Sequence, residues 1–599
     1  MVHPSLLPKF EQHKTASRQK RSASTADLPQ SPSVPKKARL QTTLDNKHGG
    51  GVTQTAVEDL IIQYIVNEML PLRTVEKPSF IELVSGLVPS RSVLCRKTLS
   101  VRINMKYASM LSDLKAQLAA VRHVCTSADI WSSHNKSYMG VTAHWIGESF
   151  ERKSATLACR RFKGAHNYDR IAEVISEVHG DFNLPLNKIT STVTDNASNF
   201  AKAFKTFAAT EPQSDDSDEE DDDDLEIVSV SQIIEEGDTD SDVYLPPQLK
   251  CAAHTLNLIA TTDADKALAD KSYSRIFHGS FAKCQALWNA VHRSSKASDA
   301  VKELSDKMLI CPCPTRWNSK FDAVGRLLEL TEQLAAICDA LNLPRLKPVE
   351  LDFLKEYHNV MQPVAATLDS LQGDLNCFYG MLLPKLVQLR NKLKCLESAR
   401  ENHPELQYAK PLVSALLEGM SHRYGDFLEL RPTAKDAILA AVSHPKYKLR
   451  WVAPQSKEEV TNMFVAAVTS SAAANCNTTA QEPSSATSSD DDDYGYDTPS
   501  EQQQATLGNV VGESLLHARA NRARVEALNY LDDREKDLQI LSSYTNVCST
   551  FLKYNTSLPS SAPVERLFSV GGLILTPRRN KLSDTVFQQL LMLKTNAAI

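Results

Sequence analysis

Apolar residues recur at helical spacing over the first part of the chain that has a clear pattern. From residue 54 to residue 120 they predict three helices, the first carrying Val57, Leu60 and Ile61 on one face. Pro71 suits the end of that first helix. Basic residues lie between or upon these segments, so contact with DNA and packing against a second copy explain them equally well.

The period changes at residue 123, where β-branched and aromatic residues become frequent. Three consecutive strands, forming an antiparallel meander, are predicted at residues 123–131, 138–146 and 151–159. A helix, a fourth strand and a second helix follow, at residues 168–182, 188–195 and 196–209. This order indicates a mixed sheet with helices packed against its faces.

The chain then becomes mostly helical from about residue 265 to residue 475. Leu-rich helical periodicity is clearest at residues 321–341, 349–371, 378–397 and 404–424. One more helix, at residues 513–533, leads to the C-terminal part.

The C-terminal part predicts a helical hairpin. Ser560 and Ser561 are candidate caps of its first helix, Pro563 suits the first turn, and Gly571-Gly572 is expected to end it. After a basic turn, Ser583 is the expected cap of the second helix. Glu565 has an ordinary explanation, since a first-turn carboxylate is favoured by the helix dipole.

Charge is distributed unevenly along the 599 residues. Residues 211–242 hold sixteen acidic residues and no Lys or Arg, and residues 490–501 hold six more acidic residues. Setting these 22 aside turns the net charge of −5 into +17. A basic body with acidic loops points to nucleic acid, although a solvated basic surface accounts for the same charge.

Composition also bounds the location of the protein. No apolar run is long enough for a membrane span, and the twelve cysteines lack a disulfide-like rhythm, so a protein of a reducing compartment is expected. Within the basic, Ser-rich start, Lys36, Lys37 and Arg39 resemble a nuclear-import signal. We therefore expect the nucleus and no membrane partner.

These patterns predict six regions. They are a disordered basic tail (1–53), a helical DNA-binding or dimerisation domain (54–122), a mixed-sheet region with an acidic loop at 211–242 (123–265), a long helical region (266–469), a disordered linker (470–508) and a C-terminal helical region (509–599).

Two carboxylates fall at the ends of predicted strands. Asp129 lies near the end of the first strand, and Asp195 ends the fourth, at a strand-to-helix junction. Since ligands of such sheets gather at the carboxyl ends of strands, adjacent strands can hold both side chains over one point.

Five motifs, in this order, give the chain a resemblance to the hAT superfamily of transposases and their host-domesticated relatives. They are SADIWSS (127–133), TDNASNF (194–200), CAAHTLNL (251–258), TRWNS (315–319) and SSAPVERLFSVGGLILTPRRNKLS (560–583). The resemblance implies an α/β fold, with a ribonuclease-H-like mixed-sheet core that a large all-helical insertion interrupts.

The resemblance also implies a catalytic site of Asp129, Asp195 and Glu565, binding Mg²⁺ or Mn²⁺. Two such ions can activate the attacking oxygen and stabilise the leaving oxygen of a phosphodiester, and hard cations prefer carboxylate ligands. Zinc is not expected, because Cys311 and Cys313 are poorly spaced to complete a site begun by Cys251 and His254.

DNA contact is implied for six further residues, Trp131, His254, Arg316, Trp317, Arg578 and Arg579. Each tryptophan has an ordinary alternative, as a buried strand-end residue or as core of the insertion. The two C-terminal arginines have another, as a solvated basic turn.

The resemblance implies that residues 123–265 are the first part of the core, that residues 266–469 are the helical insertion, and that residues 509–599 are a C-terminal dimerisation region that completes the core. Leu567, Phe568, Val586, Phe587, Leu590 and Leu591 provide apolar surface for a homodimer, or else pack on the chain's own core. The zinc finger that opens full-length relatives is not expected in this sequence, whose first cysteine is Cys95. The acidic loop at 211–242 would repel phosphate unless it moves aside.

Three functions follow from these features. The first is a transposase-derived nuclear protein that binds double-stranded DNA, dimerises and regulates transcription or chromatin. The second is an active transposase that cuts and joins DNA with Mg²⁺. The third is a dimeric interaction scaffold that does not bind DNA. The absence of a finger and the acidic insertions favour the first, and the intact carboxylates favour the second.

Overall fold

The computed structural model describes residues 52–133, 136–164, 167–208, 243–313, 317–373, 376–398, 406–477, 501–576 and 582–597. The predicted disordered tail, the nuclear-import cluster and the acidic loop at 211–242 lie outside these residues.

A five-stranded mixed sheet forms the centre of the described chain, in the order β3-β2-β1-β4-β5. Its strands are β1 (Val124–Ser133), β2 (Lys136–Ile146), β3 (Arg152–Phe162), β4 (Ile189–Thr194) and β5 (Gln248–Lys250). The first three pair antiparallel, whereas β4 runs parallel to β1 and to β5. The predicted meander and mixed sheet are confirmed. The three-residue β5 was not predicted, because it is too short to show a period.

Six helices lie before, within and just after the sheet sequence. They are α1 (Gln54–Asn67), α2 (Pro78–Leu87), α3 (Arg96–Ala120), α4 (Tyr168–Asp181), α5 (Ser198–Thr206) and α6 (Ala252–Leu258). The second half of α3 does not stand apart from the sheet, because Leu114 and Leu118 are fully buried in one core with Val141 and Ile175.

The predicted helical insertion is present between β5 and the C-terminal part. Its helices are α7 (Lys271–Arg293), α8 (Ser295–Leu304), α9 (Trp317–Glu329), α10 (Thr331–Ala340), α11 (Pro348–Leu371), α12 (Leu382–Glu397), α13 (Lys410–Leu428), α14 (Lys435–Ser443) and α15 (Lys457–Asn477). They share a second apolar core with the other face of the sheet, where Val193 and Cys125 are fully buried.

Four helices complete the described chain. They are α16 (Glu501–Asp532), α17 (Thr545–Asn555), α18 (Ala562–Ile574) and α19 (Asp584–Thr595). Helices α15 and α16 extend into both ends of the segment 470–508 that was expected to be a linker. At its N-terminal end, the run Ser-Ser-Ala-Ala-Ala contains three alanines, which have the highest helix propensity.

The caps of the final hairpin are partly as predicted. The hydroxyl of Ser583 accepts a hydrogen bond from the backbone N–H of Val586, so it caps α19 as expected. Ser561 is the N-cap residue of α18 but makes no side-chain capping bond. The expectation that Gly571-Gly572 ends α18 was wrong. The helix continues to Ile574, because the side chain of Trp131 and helix α19 pack against this segment.

Candidate active site

Asp129 and Asp195 lie on adjacent strands, where the parallel pairing of β1 with β4 ends. Asp195 directly follows β4, but Asp129 lies within β1, which continues to Ser133, so the prediction that it stands near a strand end was wrong. In the parallel register of β1 and β4, Ser127 is opposite Val193. Asp129 and Asp195 each follow that pair by two residues, so the adjacent strands carry them to the same level. This is the arrangement that the strand order predicted.

Each aspartate is held by a local backbone hydrogen bond. Oδ1 of Asp129 accepts from the backbone N–H of Ile130 at 2.7 Å. Oδ1 of Asp195 accepts from the backbone N–H of Ala197 at 3.2 Å, at the start of α5. These bonds orient the carboxylates at the points where β1 turns towards solvent and where α5 begins.

Glu565 lies in the first turn of α18, which packs on the sheet over the aspartates. Gly140 in β2 is the cross-strand partner of Asp129. A Cβ added at Gly140 would lie 2.6 Å from Cε1 of Phe568 and 2.8 Å from Cγ2 of Val564. Only glycine allows α18 to approach this closely, and the approach brings the turn that carries Glu565 to the sheet edge.

The charges of the three carboxylates act on one another. The pKa of Asp129 is raised to about 7, mainly by burial and then by the negative charges of Asp195 and Glu565, against the lowering effect of the Ile130 hydrogen bond. A carboxyl group with this pKa is partly protonated at neutral pH. The three side chains therefore share one electrostatic environment, although they come from distant parts of the sequence.

The chemistry of the donor set suits a hard divalent cation, because all three side chains offer carboxylate oxygens. Over the described ranges, however, no three His, Cys, Asp or Glu side chains stand close enough together to form a ready-made metal cluster. Asp195 and Glu565 are thus close enough to act electrostatically on Asp129. That the three bind one metal ion stays a prediction.

Residues 555–561 make many hydrogen bonds to the sheet and to α6, and these bonds position the N-terminus of α18. We call these residues the return segment. The guanidinium of Arg152 on β3 donates to the carbonyl oxygens of Asn555 and Thr556, at 2.6 Å each, and of Ser557 at 3.3 Å. Arg152 is 9% exposed. Because these acceptors are backbone atoms, the guanidinium fixes the path of the chain rather than one side chain.

Further bonds tie the return segment to the parallel half of the sheet and to α6. The hydroxyl of Ser557 hydrogen-bonds that of Ser191 on β4 at 2.8 Å. The carbonyl of Pro559 accepts from the N–H of Ala252, and the sulfur of Cys251 accepts from the N–H of Ser561. Cys251 and the return segment thus place the beginnings of α6 and α18 side by side.

A cavity of ≈ 290 Å³ lies where α6, α9, α11 and α18 meet. Its lining includes Glu565, Arg566, His254 and Trp317. Three of these four were expected at the site, and they come from motifs at 251–258, 315–319 and 560–583. Nη1 of Arg566 donates to the carbonyl oxygen of Gln372 at 3.0 Å, which holds this cation at the rim.

The two tryptophans also serve the packing of the chain. The ring of Trp131 stacks on that of Phe568 with centroids 5.7 Å apart, and the indole is half-buried. Trp317 is 6% exposed and belongs to the apolar core of the insertion, while it also lines the cavity. Both tryptophans therefore pack within the chain, as the alternatives to DNA contact predicted, and Trp317 also lines the cavity.

The residues expected at a dimer surface are mostly buried within this chain. Val586 is half-buried and borders a surface groove, whereas five others are at most 7% exposed, namely Leu567, Phe568, Phe587, Leu590 and Leu591. This burial agrees with the alternative in which the apolar stripe packs on the chain's own core. Dimerisation through these five side chains stays a prediction, and none of the five is exposed.

Some expected residues lie outside the described chain. These are Arg316, Arg578 and Arg579, expected to contact DNA, and Lys36, Lys37 and Arg39 of the import cluster. Sequence reasoning missed Gly140 and Arg152. A glycine inside a strand is a recognised sign of close backbone approach, so Gly140 had a signal. Arg152 had none, because an arginine at a strand start is ordinary.

Comparison with known proteins found similarity over part of the chain. Residues 127–215, which contain both aspartates, match the family model of the ZBED1 RNase-like domain. In an alignment of 273 positions that covers 43% of the chain, it is 26% identical to a putative AC transposase and to a putative AC9 transposase, both from Zea mays. The match covers 29% and 28% of those two proteins, less than a third of each. No helix in the described part of the chain is long and apolar enough to cross a membrane.

Proposed function

We propose, on the premise that the chain is a transposase-like protein of the hAT family, that it binds double-stranded DNA at the sheet edge that carries Asp129, Asp195 and Glu565. One observation carries this proposal. Segments around residues 254, 317 and 565, far apart in the sequence, meet in a single cavity, and its Glu565 acts electrostatically on Asp129. The cavity combines one cation, Arg566, with the ring of Trp317 and side-chain amides, which suit a nucleic-acid end, and with the carboxylate of Glu565.

The residues of the cavity have separate tasks in this proposal. Arg566 contacts a phosphate, since a guanidinium already held at the rim loses little freedom on binding. His254 and the edge of Trp317 bound the space into which the DNA end fits. The carboxylates repel the phosphate backbone at neutral pH, so DNA binding here requires their partial neutralisation, by protons or by a cation.

We further propose that the protein acts in the nucleus, as a homodimer, to regulate transcription or chromatin. In this proposal the apolar surface for self-association lies on the N-terminal helices and not on α18 and α19. Leu60, Tyr64, Leu87, Val101 and Met105 are between 49% and 73% exposed on α1, α2 and α3. Exposed apolar groups of this kind are typical of interaction surfaces.

DNA binding is tested by fluorescence anisotropy of the full chain with a labelled duplex, over a range of salt concentrations. Arg566→Gln should weaken binding about tenfold and reduce the slope of log affinity against log salt by about one. Arg345→Gln is the matched control, because Arg345 is exposed, pairs with Asp339 and does not line the cavity. Equal losses for the two variants would contradict the proposal.

A second candidate function is Mg²⁺-dependent DNA cleavage, favoured by the charge coupling of Asp129 with Asp195 and Glu565. When bound there, Mg²⁺ or Mn²⁺ supplies Lewis-acid activation of an attacking oxygen and stabilisation of the leaving oxygen. The chain's own contribution is to hold the three carboxylates where their charges interact and to keep Asp129 half-buried.

Cleavage is tested with a nicking assay on supercoiled DNA. Glu565→Gln should reduce Mg²⁺-dependent nicking to background, whereas Asp584→Asn should not. Both residues are first-turn carboxylates of adjacent helices, so both variants lose the same helix-dipole interaction. A native protein that never nicks DNA with Mg²⁺ or Mn²⁺ would exclude this second function and leave DNA binding to the anisotropy experiment.

A further inference from the structure

A second cavity, of ≈ 880 Å³, lies in the helical insertion and shares no lining residue with the candidate active site. It is bounded by α11, by α12 and by the turn at residues 446–451 that follows α14. We call it the basic cavity. Its volume falls in the range of about 300–1,000 Å³ that is usual for small-molecule sites.

The lining of the basic cavity is positively charged and contains no acidic residue. Lys392, Lys446, Arg450 and Lys536 are its charged members. None of them belongs to an ion pair among the described residues, and all four are exposed. Burial lowers the pKa of the neighbouring Lys385, and the positive charges of Lys446 and Lys392 lower it further. The cavity therefore offers an anion a positive potential with no competing carboxylate.

Aromatic rings and amides stand among these cations. Tyr447 and Trp451 line the same cavity, and Nζ of Lys446 lies 5.7 Å from the centroid of the Tyr447 ring. The indole nitrogen of Trp451 is buried, so the tryptophan presents carbon surface to the cavity. Gln362 and Asn391 add side-chain amides, each with donors and an acceptor.

An ordinary solvated basic surface does not account for this combination. Lysines that only keep a protein soluble stand on convex surface and are interspersed with acidic residues. Here the cations surround a concavity whose apolar part includes Pro384 and Val387. A ligand that satisfies the whole lining carries negative charge, a planar ring that stacks, and edges that hydrogen-bond to amides.

We propose that the basic cavity binds a nucleoside phosphate, with its phosphates against Lys392, Lys446, Arg450 and Lys536 and its base against Tyr447 and Trp451. The nucleoside phosphate is either a free nucleotide or one unit of a single-stranded nucleic acid, because both present the same groups. This binding is independent of the carboxylates at the sheet edge, so Glu565→Gln should leave it unchanged.

The test is isothermal titration calorimetry of the full chain with four probes, namely ATP, GTP, inorganic tripolyphosphate and a ten-residue oligothymidylate. Binding of a nucleotide or of the oligonucleotide at least about tenfold tighter than tripolyphosphate supports the proposal, since stacking adds to the charge interaction. Preference for ATP or GTP identifies the free nucleotide, and preference for the oligonucleotide identifies the strand. Equal binding of all four, or no binding, overturns the proposal.

Two neighbouring lysines on α12 provide a matched pair of variants. Lys392 lines the cavity and Lys394 does not, although both are exposed and two residues apart. Lys392→Gln combined with Lys446→Gln should weaken the preferred probe about tenfold or more, whereas Lys394→Gln should change it less than about twofold. Trp451→Leu, which keeps an apolar side chain, should remove the advantage of the nucleotide over tripolyphosphate. An equal loss for Lys394→Gln, or a retained advantage in Trp451→Leu, would overturn the assignment.

Discussion

The candidate active site and the basic cavity each concentrate charge of one sign, and the charges are opposite. At the sheet edge, burial and two neighbouring carboxylates raise the pKa of Asp129 to about 7. In the basic cavity, burial and two neighbouring lysines lower the pKa of Lys385. In both places the protein disfavours its own charge, so each site gains most from a ligand of the opposite sign.

The two sites differ in how the chain builds them. The sheet edge combines residues from β1, β4 and α18, and its geometry depends on Arg152 and Gly140. The basic cavity is formed mainly within one stretch, residues 359–451, with Lys536 as its distant member. A site assembled from distant segments should therefore be easier to disrupt by a single substitution than a site inside one helical domain.

The largest expected effect is that of Arg152→Met. Methionine keeps the apolar length of the side chain but leaves the carbonyls of Asn555, Thr556 and Ser557 without their donor. We expect the free energy of unfolding to fall by about 3 kcal/mol, measured by urea denaturation. DNA binding should be lost under conditions in which the remaining folded protein still binds nucleotide in the basic cavity.

Arg160→Met is the control for this substitution. Arg160 lies on the same strand, is partly exposed and pairs with Glu177 and Asp181. Removing such surface ion pairs should cost less than about 1 kcal/mol. If Arg152→Met were no worse than this control, or if it weakened both sites equally, the proposed difference in assembly would be wrong.

A smaller loss is expected for Gly140→Ala. The new methyl group would overlap Phe568 and Val564, so α18 must move away from β2. We expect a loss of about 2 kcal/mol in the free energy of unfolding and a larger proportional loss of DNA binding than of nucleotide binding. Gly180→Ala is the control, because the Cβ it would add meets no described atom within 4 Å apart from the adjacent residues and backbone of its own helix α4.

The overlap also predicts a rescue. Replacing Phe568 by leucine in the Gly140→Ala background removes the ring that the methyl group meets, so the double variant should lose less stability than the two single variants together. Strict additivity of the two losses would show that Gly140 and Phe568 are not coupled through this contact.

The third prediction concerns pH, and here the substitution should stabilise the fold instead of destabilising it. A carboxyl group whose pKa is higher in the folded than in the unfolded protein destabilises the fold as pH rises between the two values. The window for Asp129 runs from about 4 to about 7. Asp129→Asn should therefore raise the free energy of unfolding by about 1–2 kcal/mol at pH 8 and by much less at pH 4.5, in the presence of EDTA.

Asp299→Asn, an exposed aspartate of α8, should show no such pH-dependent gain. Adding Mg²⁺ to the native protein at pH 8 should recover part of the same stability, while the Asp129→Asn variant should respond less. A native protein whose stability is unaffected by Mg²⁺ would count against the carboxylates as a metal site.

The parts of the site that could be predicted from the pattern of residues are those fixed by local structure. Asp195 was placed correctly, directly after β4, whereas β1 runs four residues beyond Asp129, so the expected strand end there was wrong. The two residues still share one level because β1 and β4 are adjacent and parallel. Glu565 needed the resemblance to a family, since a first-turn glutamate is ordinary by itself. Its approach to the sheet depends on a glycine 425 positions away in the sequence.

Other features could not be predicted because tertiary contacts outweigh local preference. Gly571-Gly572 is a sound signal for a helix end, yet α18 continues through it where Trp131 and α19 pack. The apolar residues of α18 and α19 could equally have covered a dimer surface, and only the folded chain shows them buried. The cations of the basic cavity are ordinary lysines in the sequence, and the packing of helices alone brings Lys392 and Lys446 together.

The return segment has a consequence for the order in which the protein is made. Ribosomes synthesise Asp129 and Asp195 first, then the whole helical insertion, and only afterwards residues 555–565. The helices of the insertion are therefore made before residues 555–557, and Arg152 meets its carbonyl partners only after them. Because the core of the insertion also contains Tyr530, Val547 and Phe551, the same late-made part of the chain completes both that core and the site. Until it arrives, the nascent chain carries two aspartates without Glu565.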